Sequence, residues 1–386
     1  MRSVFEFHNP VRLVFGEGTF SRLGECLPPL SRHAFLVTGR SAVRQHGYLD
    51  HAVAMLHDQG VEVTVYDAIP PNPTDEVVDA GGAVARDAGC DLVIGLGGGS
   101  AMDAAKAIAV AATHEFPIRE FLLPDEKGSV RQPTDRTLPL VLVTTTAGTS
   151  SELTPFAVIS TPAGKEKSAI RAPQLFARTS ICDPELTLRV PPETTAATGV
   201  DVLCHAVEAF ISTNASPLTD SAAEQAIRLV AQHLPRAVAD GSDREARRGM
   251  SLANVFAGYG LSNAGVSMLH ALEHPVSGHF PEVAHGQGLA ALLVSYARHT
   301  WQGMPERFAR VSELLGGPAE PQAAADTFAR FLESVGFKPR LSQFNIPEEL
   351  LPRLADDALR YMGAAVARTP GCIDRDCLMR VLKDSY

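Results

Sequence analysis

Four histidines, His270, His274, His279 and His285, fall within sixteen positions of one another, and Asp201 and His205 stand four residues apart upstream. On a helix the i, i+4 spacing puts both side chains of a pair on one face. His270 and His274 repeat that spacing in a run that Pro275 is expected to close, with His279 and His285 following in a Gly/Pro-rich loop. A carboxylate among several imidazoles suits Fe(II) or Zn(II), not the oxygen-seeking Ca2+ or Mg2+. Such an ion acts as a Lewis acid on an alcohol oxygen and eases the departure of hydride from the adjacent carbon. A proton has to leave as well, and His274, one turn beyond His270, is placed to relay it, with His279 the second candidate. A buried hydrogen-bond network is the competing reading of the same residues.

Hydride transfer needs an acceptor. A strand-like run over 91–96 leads into Gly97, Gly98, Gly99 and Ser100, and residues 101–108 read as a strong helix. Three glycines let a ligand approach the backbone, and the helix start offers N–H groups and the positive end of the dipole to a pyrophosphate. Ser100 is expected to cap that helix. The spacing is not GxGxxG and no ribose-binding acid ends the next strand, so the ordinary Rossmann fingerprint is absent. A second polar segment, Thr144, Thr145, Thr146, Ala147, Gly148, Thr149, Ser150, Ser151 and Glu152, carries hydroxyls able to hold phosphate, ribose or the nicotinamide amide. Asn72, between two prolines, is either a turn residue or a cofactor contact.

The elements that have to position these groups divide the chain in two. Residues 1–184 alternate short β-rich runs (11–15, 34–38, 61–66, 92–96, 138–144) with helical patterns (46–59, 74–88), the sign of a parallel α/β sheet. Residues 185–386 lose the β-branched runs and read as all-helical, with long patterns over 221–234 and 323–335. At 386 residues the chain exceeds the roughly 250–300 at which single cores stop growing, which agrees with two domains.

Acidic side chains outnumber basic ones, 44 to 34, and no Lys/Arg block offers a footprint for nucleic acid. Arg244, Arg247 and Arg248 alternate with Asp243 and Glu245 in the manner of a solvated helix face. Six singly scattered cysteines (Cys26, Cys90, Cys182, Cys204, Cys372, Cys377) read as reduced thiols of a cytoplasmic protein. No signal-peptide h-region or membrane-spanning run is present, so no membrane partner is expected.

Taken together and in order, these motifs resemble the group III, iron-containing alcohol dehydrogenases, the family of lactaldehyde reductase, 1,3-propanediol dehydrogenase and butanol dehydrogenase. The residues carrying the resemblance are Gly97 to Ser100 with Asp103 and Lys106, Thr145 to Glu152, Asp183-Pro184, Gly199 to Asp201 with His205, and His270 through His274 to His285-Gly286. The resemblance implies an N-terminal α/β nucleotide-binding domain and an all-α C-terminal metal-binding domain, with cofactor and substrate meeting in a cleft. It implies iron held by Asp201, His205, His270 and His285, with His274 at the proton-relay position. It also implies a dinucleotide site lined by Asn72, Gly97, Gly98, Gly99, Ser100, Asp103, Thr144, Thr145, Thr149 and Lys167. The expected substrate is a small alcohol or aldehyde, and the expected assembly a homodimer or larger homo-oligomer. NAD-preferring members carry an acid after the second strand; Gly39 stands there, followed by Arg40 and Ser41, which leans toward NADP over NAD. A hydroxyacid-oxoacid transhydrogenase or a maleylacetate reductase-like enzyme of the same fold, and a non-catalytic metal and nucleotide sensor, are the alternatives.

Overall fold

The computed structural model describes residues 4–124, 128–371 and 373–386. The chain forms two compact units, one made of Asn9–Thr146 and Ser150–Thr187, the other of Met1–His8, Ala147–Thr149 and Leu188–Tyr386.

The first unit is built on strands β1 (Arg12–Phe15), β2 (His33–Gly39), β3 (Glu62–Ile69), β4 (Leu92–Gly97), β5 (Leu140–Thr144), β6 (Phe156–Thr161), β7 (Glu166–Arg171) and β8 (Thr179–Cys182), with helices α1 (Ala42–Gln45), α2 (Tyr48–Asp58), α3 (Asp75–Asp87) and α4 (Gly99–Ala111). Six strands form one parallel sheet in the order β1-β8-β5-β4-β2-β3. Alternate residues of its inner strands feed two separate cores: Phe35, Val37, Val93, Leu140 and Leu142 join α3 and α4, while Leu36, Ile94, Leu96, Val141 and Val143 join α2. A sheet apolar on both faces is what covering helices require, and it explains the unbroken apolar runs of these strands. The sequence reading omitted three strands. β6 and β7 form an antiparallel hairpin outside the main sheet, and β8 is only four residues long, Thr-Ser-Ile-Cys, yet buried between β1 and β5.

The second unit contains helices α5 (Pro192–Ile211), α6 (Pro217–Ala239), α7 (Arg244–Ala264), α8 (Met268–His279), α9 (His285–Thr300), α10 (Pro305–Leu314), α11 (Ala324–Ser334), α12 (Leu351–Val366) and α13 (Arg375–Asp384) around one core. Pro275 does not end its helix. It sits inside α8, where burial of Met268 to Ser277 outweighs the roughly 3 kcal/mol an interior proline costs. His279 is therefore the last residue of α8 and His285 the first of α9, not loop residues. Arg247 is not part of a solvated face: it is buried and donates to the carbonyls of Val190 and Gly241 and to Thr195 Oγ1, tying α7 to the start of α5.

Cys26, Cys90, Cys182 and Cys204 are free and buried. Cys377 is disulfide-bonded, against the expectation of six reduced thiols, and Cys372 lies outside the described residues. No helix among the described residues is long and apolar enough to cross a membrane.

Candidate metal centre and dinucleotide cradle

Helix α5 is buried along almost its whole length, and Asp201 and His205, one turn apart, are buried with it. Asp201 Oδ1 is the focus of the site: His205 Nε2 lies 3.5 Å away, His270 Nε2 3.4 Å and His285 Nε2 3.8 Å. The His205 and His270 rings stack with centroids 4.5 Å apart, and the His285 ring is 5.3 Å from that of His270. Asp201, His270 and His285 offer ligand atoms within 4.8 Å of one another; His205, the fourth candidate, approaches through its single 3.5 Å contact with Asp201 Oδ1.

Two residues that sequence reasoning missed complete the arrangement. Glu208 and Glu273 are fully buried; Glu208 Oε2 contacts His270 Nδ1, and Glu273 Oε2 contacts His285 Nδ1. A carboxylate at Nδ1 fixes the tautomer in which Nδ1 carries the proton and Nε2 presents its lone pair. Glu208 is itself held by Ser267, whose N–H and Oγ donate at 2.9 and 2.7 Å, and Ser277 Oγ donates to Glu273. A signal for both was present: Glu208 follows Asp201 by seven positions and Glu273 follows His270 by three, the same-face spacings of a helix.

The donor set fits a cation. Nε2 lone pairs converging on a carboxylate oxygen repel one another unless positive charge sits among them, and one carboxylate with three imidazoles is a borderline-soft set. The carboxylates around His270 favour positive charge: burial disfavours its charged form, yet Glu208 and Asp201 push its pKa up to about 10, so a metal bound at Nε2 would have to displace a proton there. Burial would raise the Asp201 carboxyl, but the three imidazoles hold it below its ordinary value.

His285 is seated by the glycine that follows it. A Cβ on Gly286 would stand 2.0 Å from the Ala197 carbonyl oxygen, so only glycine lets the start of α9 touch the backbone of α5. His274 is buried, its ring centroid 6.4 Å from His270 and 5.8 Å from His285. His279 is engaged elsewhere: its Nε2 lies 3.0 Å from Asp357 Oδ2 on α12, a carboxylate shared with Arg353 and Arg360.

In the α/β unit the glycine-rich turn lies where β4 meets α4. β2 pairs with β3 on one side and β4 on the other, so the chain order reverses there, and the carboxyl ends of β2 and β4 flank a topological switch point, where open α/β sheets bind ligands. Gly97 has φ +153° and a Cβ there would meet Ala101 at 2.8 Å. The N-cap of α4 is Gly98 with no side-chain cap, so Ser100 lies in the first turn instead of capping it. Thr145 N–H donates to Gly97 O at 2.9 Å and Thr144 Oγ1 to Thr146 O at 2.8 Å, joining the hydroxyl-bearing segment to the turn; Thr149 belongs to the helical unit. Gly39 ends β2, with Arg40 and Ser41 exposed beyond it. Asn72 has φ +52° in a turn whose Pro73 carbonyl accepts from Ser160 N–H, and Ser160 is the cross-strand partner of Lys167. Asp103 points away from the turn's backbone: its oxygens accept from Ser151 Oγ at 2.5 Å and Val158 N–H at 3.0 Å.

Known families match along most of the chain. The family model described as iron-containing alcohol dehydrogenase matches residues 10–184, and that of the Fe-containing alcohol dehydrogenase family, C-terminal, matches residues 195–386. The chain is 39% identical over 347 residues to long-chain-alcohol dehydrogenase 1 of Geobacillus thermodenitrificans, covering 88% of this chain and 86% of that one. It is 37% identical over 369 residues to the 1,3-propanediol dehydrogenase of Klebsiella pneumoniae, covering 92% and 93%. Among solved structures, an archaeal halo-thermophilic alcohol dehydrogenase from a Red Sea brine pool superposes with a TM-score of 0.96 at 34% identity, over the full length of both chains. The chain belongs to the iron-containing alcohol dehydrogenase family.

Proposed function

We propose that the protein moves hydride between a nicotinamide dinucleotide, NADP in preference to NAD, and a small alcohol or aldehyde, with Fe(II) held by Asp201, His205, His270 and His285. The observation that carries this reading is the convergence of three Nε2 atoms on Asp201 Oδ1, with Glu208 and Glu273 behind two of the rings. A divalent cation there supplies Lewis acidity at the substrate oxygen, and zinc fits the same donors.

The chain's own residues do the rest. Glu208, hydrogen-bonded to Nδ1, orients the His270 imidazole so that Nε2 faces the site, and Glu273 places a carboxylate beside the His285 ring. Gly97 to Ser100 receive the pyrophosphate at the uncapped start of α4, and Thr144 and Thr145 offer hydroxyls beside them. An imidazole nitrogen of His274 accepts the proton released when the alcohol is oxidised and returns it in the reverse direction.

The test is oxidation of NADH and NADPH with a panel of short aldehydes, after chelator treatment and anaerobic reconstitution with Fe(II) or Zn(II). Turnover that returns with metal supports the reading; absence of turnover with either metal and either dinucleotide removes it.

The NADP preference rests on the end of β2. Gly39 brings no carboxylate there, and Arg40 is exposed, while the neighbouring Arg44 is already paired with Asp67 at 2.6 Å. Gly39→Asp is expected to depress NADPH use relative to NADH by about tenfold, the scale of one like-charge contact near a protein surface. Steady-state kinetics with both dinucleotides check this, and an unchanged ratio removes the role given to Gly39.

A further inference from the structure

Lys106 carries a charge into a place where charge is costly. Its side chain is fully buried on α4, and its Nζ donates to three backbone carbonyls: Ser151 at 2.6 Å, Phe156 at 2.7 Å and Thr154 at 2.8 Å. Three N–H bonds thus meet three acceptors. Three residues earlier on the same helix face, Asp103 takes Ser151 Oγ and Val158 N–H. The two side chains grip one irregular segment, the short 3-10 turn Ser151–Leu153 and the start of β6. An apolar side chain would fill this volume without desolvating an ammonium, so the buried ammonium is there for the carbonyls it holds in place.

What it holds is the far end of the hydroxyl-bearing stretch. The near end is tied to the glycine-rich turn by the Thr145 N–H to Gly97 O bond. The same helix therefore presents the turn at its first residue and the latch two turns further on. We propose that Lys106 is a positioning residue for dinucleotide binding, latching the segment after Ser150 to α4 so that Thr144, Thr145 and Thr146 are preorganised beside the glycine-rich turn. This rests on the reading that the dinucleotide binds at that turn.

A charge-dependent latch has a pH signature. Burial pushes the Lys106 ammonium down to about 8, against the opposing pull of Asp103 and Glu152, and Lys167 also acts on Asp103. Above that pH the amine keeps two N–H donors for three carbonyls, so cofactor affinity in the natural protein weakens as pH rises through about 8.

The experiment is fluorescence titration of the metal-loaded full-length protein with NADH and NADPH, at pH values on either side of that pKa, for the natural chain and for Lys106→Met and Ser151→Ala. Lys106→Met is expected to raise Kd about tenfold, the loss of one charge-assisted hydrogen bond. Cofactor KM rises with it while kcat moves less, metal content is unchanged and the pH dependence flattens. Ser151→Ala, which loses the bond to Asp103 and keeps its carbonyl for Lys106, raises Kd by a smaller factor, and it decides the matter if Lys106→Met does not fold. Variants that bind with the natural Kd and pH profile overturn the positioning role alone. A natural protein that binds neither dinucleotide overturns the site reading, and this proposal with it.

Discussion

His270→Ala is expected to yield a protein that folds but carries no stoichiometric metal and turns over at least about 1000-fold more slowly. Polarisation of the substrate oxygen is worth several kcal/mol, and each 1.4 kcal/mol is tenfold in rate. The loss reaches beyond one ligand. Without His270, Glu208 is a buried carboxylate deprived of its imidazole, and removing one partner of such a pair costs about 3–5 kcal/mol. Its bonds from Ser267 remain, which keeps the helical unit folded at a lower Tm. Metal analysis and thermal melting read the two effects separately. A variant that retains metal, or is metal-free with natural activity, shows that the ion is held elsewhere or is not needed.

Gly286→Ala, a single methyl group, is expected to act almost as strongly. Its Cβ would meet the Ala197 carbonyl oxygen at 2.0 Å and the carbonyl carbon at 2.5 Å, a clash of backbone with side chain that no rotamer change relieves. The start of α9 has to move off α5, taking His285 away from Asp201. Overpacking of this kind costs about 1–3 kcal/mol, and metal affinity should fall by more than about tenfold because the ligand moves with the helix. Dinucleotide binding, carried by the other unit, should not change. A metal titration monitored beside an NADH titration tests both halves; equal loss of both would mean general unfolding, and loss of neither would mean that the helices separate without moving His285.

The parts of the fold legible in the sequence were those written as long patterns. The inner strands read as apolar runs because both sheet faces are covered, and α3 and α6 read by periodicity. β8 escaped because four residues, two of them hydroxylic, make no pattern; only pairing on both edges makes them a strand. Pro275 misled because the rule that proline ends helices concerns local hydrogen bonding, whereas α8 is held by burial on all sides. In the site, the i, i+4 spacing marked Asp201 with His205 and His270 with His274 as same-face pairs, whereas His285, in no such pair, entered the ligand set only through the resemblance. Glu208 and Glu273 stayed hidden because a glutamate in a helix ordinarily faces water, and nothing local marks these two as fully buried. Asp103 was grouped with the cofactor residues by its place in the motif, while its side chain secures the neighbouring segment.

The position of β8 bears on how the chain is made. Among the described residues β1 pairs in the sheet with β8 alone, and β5 keeps one edge open until β8 fills it. A ribosome that has released everything up to β7 has therefore produced a sheet with a gap beside β5 and a first strand with nowhere to dock. The inner strand arrives last, from the far end of the unit's sequence. Pairing across such a separation is slow and leaves an unpaired edge exposed while it waits. Nascent chains halted just before Thr179 should consequently be the ones most dependent on chaperones, and those extended past Cys182 the first able to close the sheet.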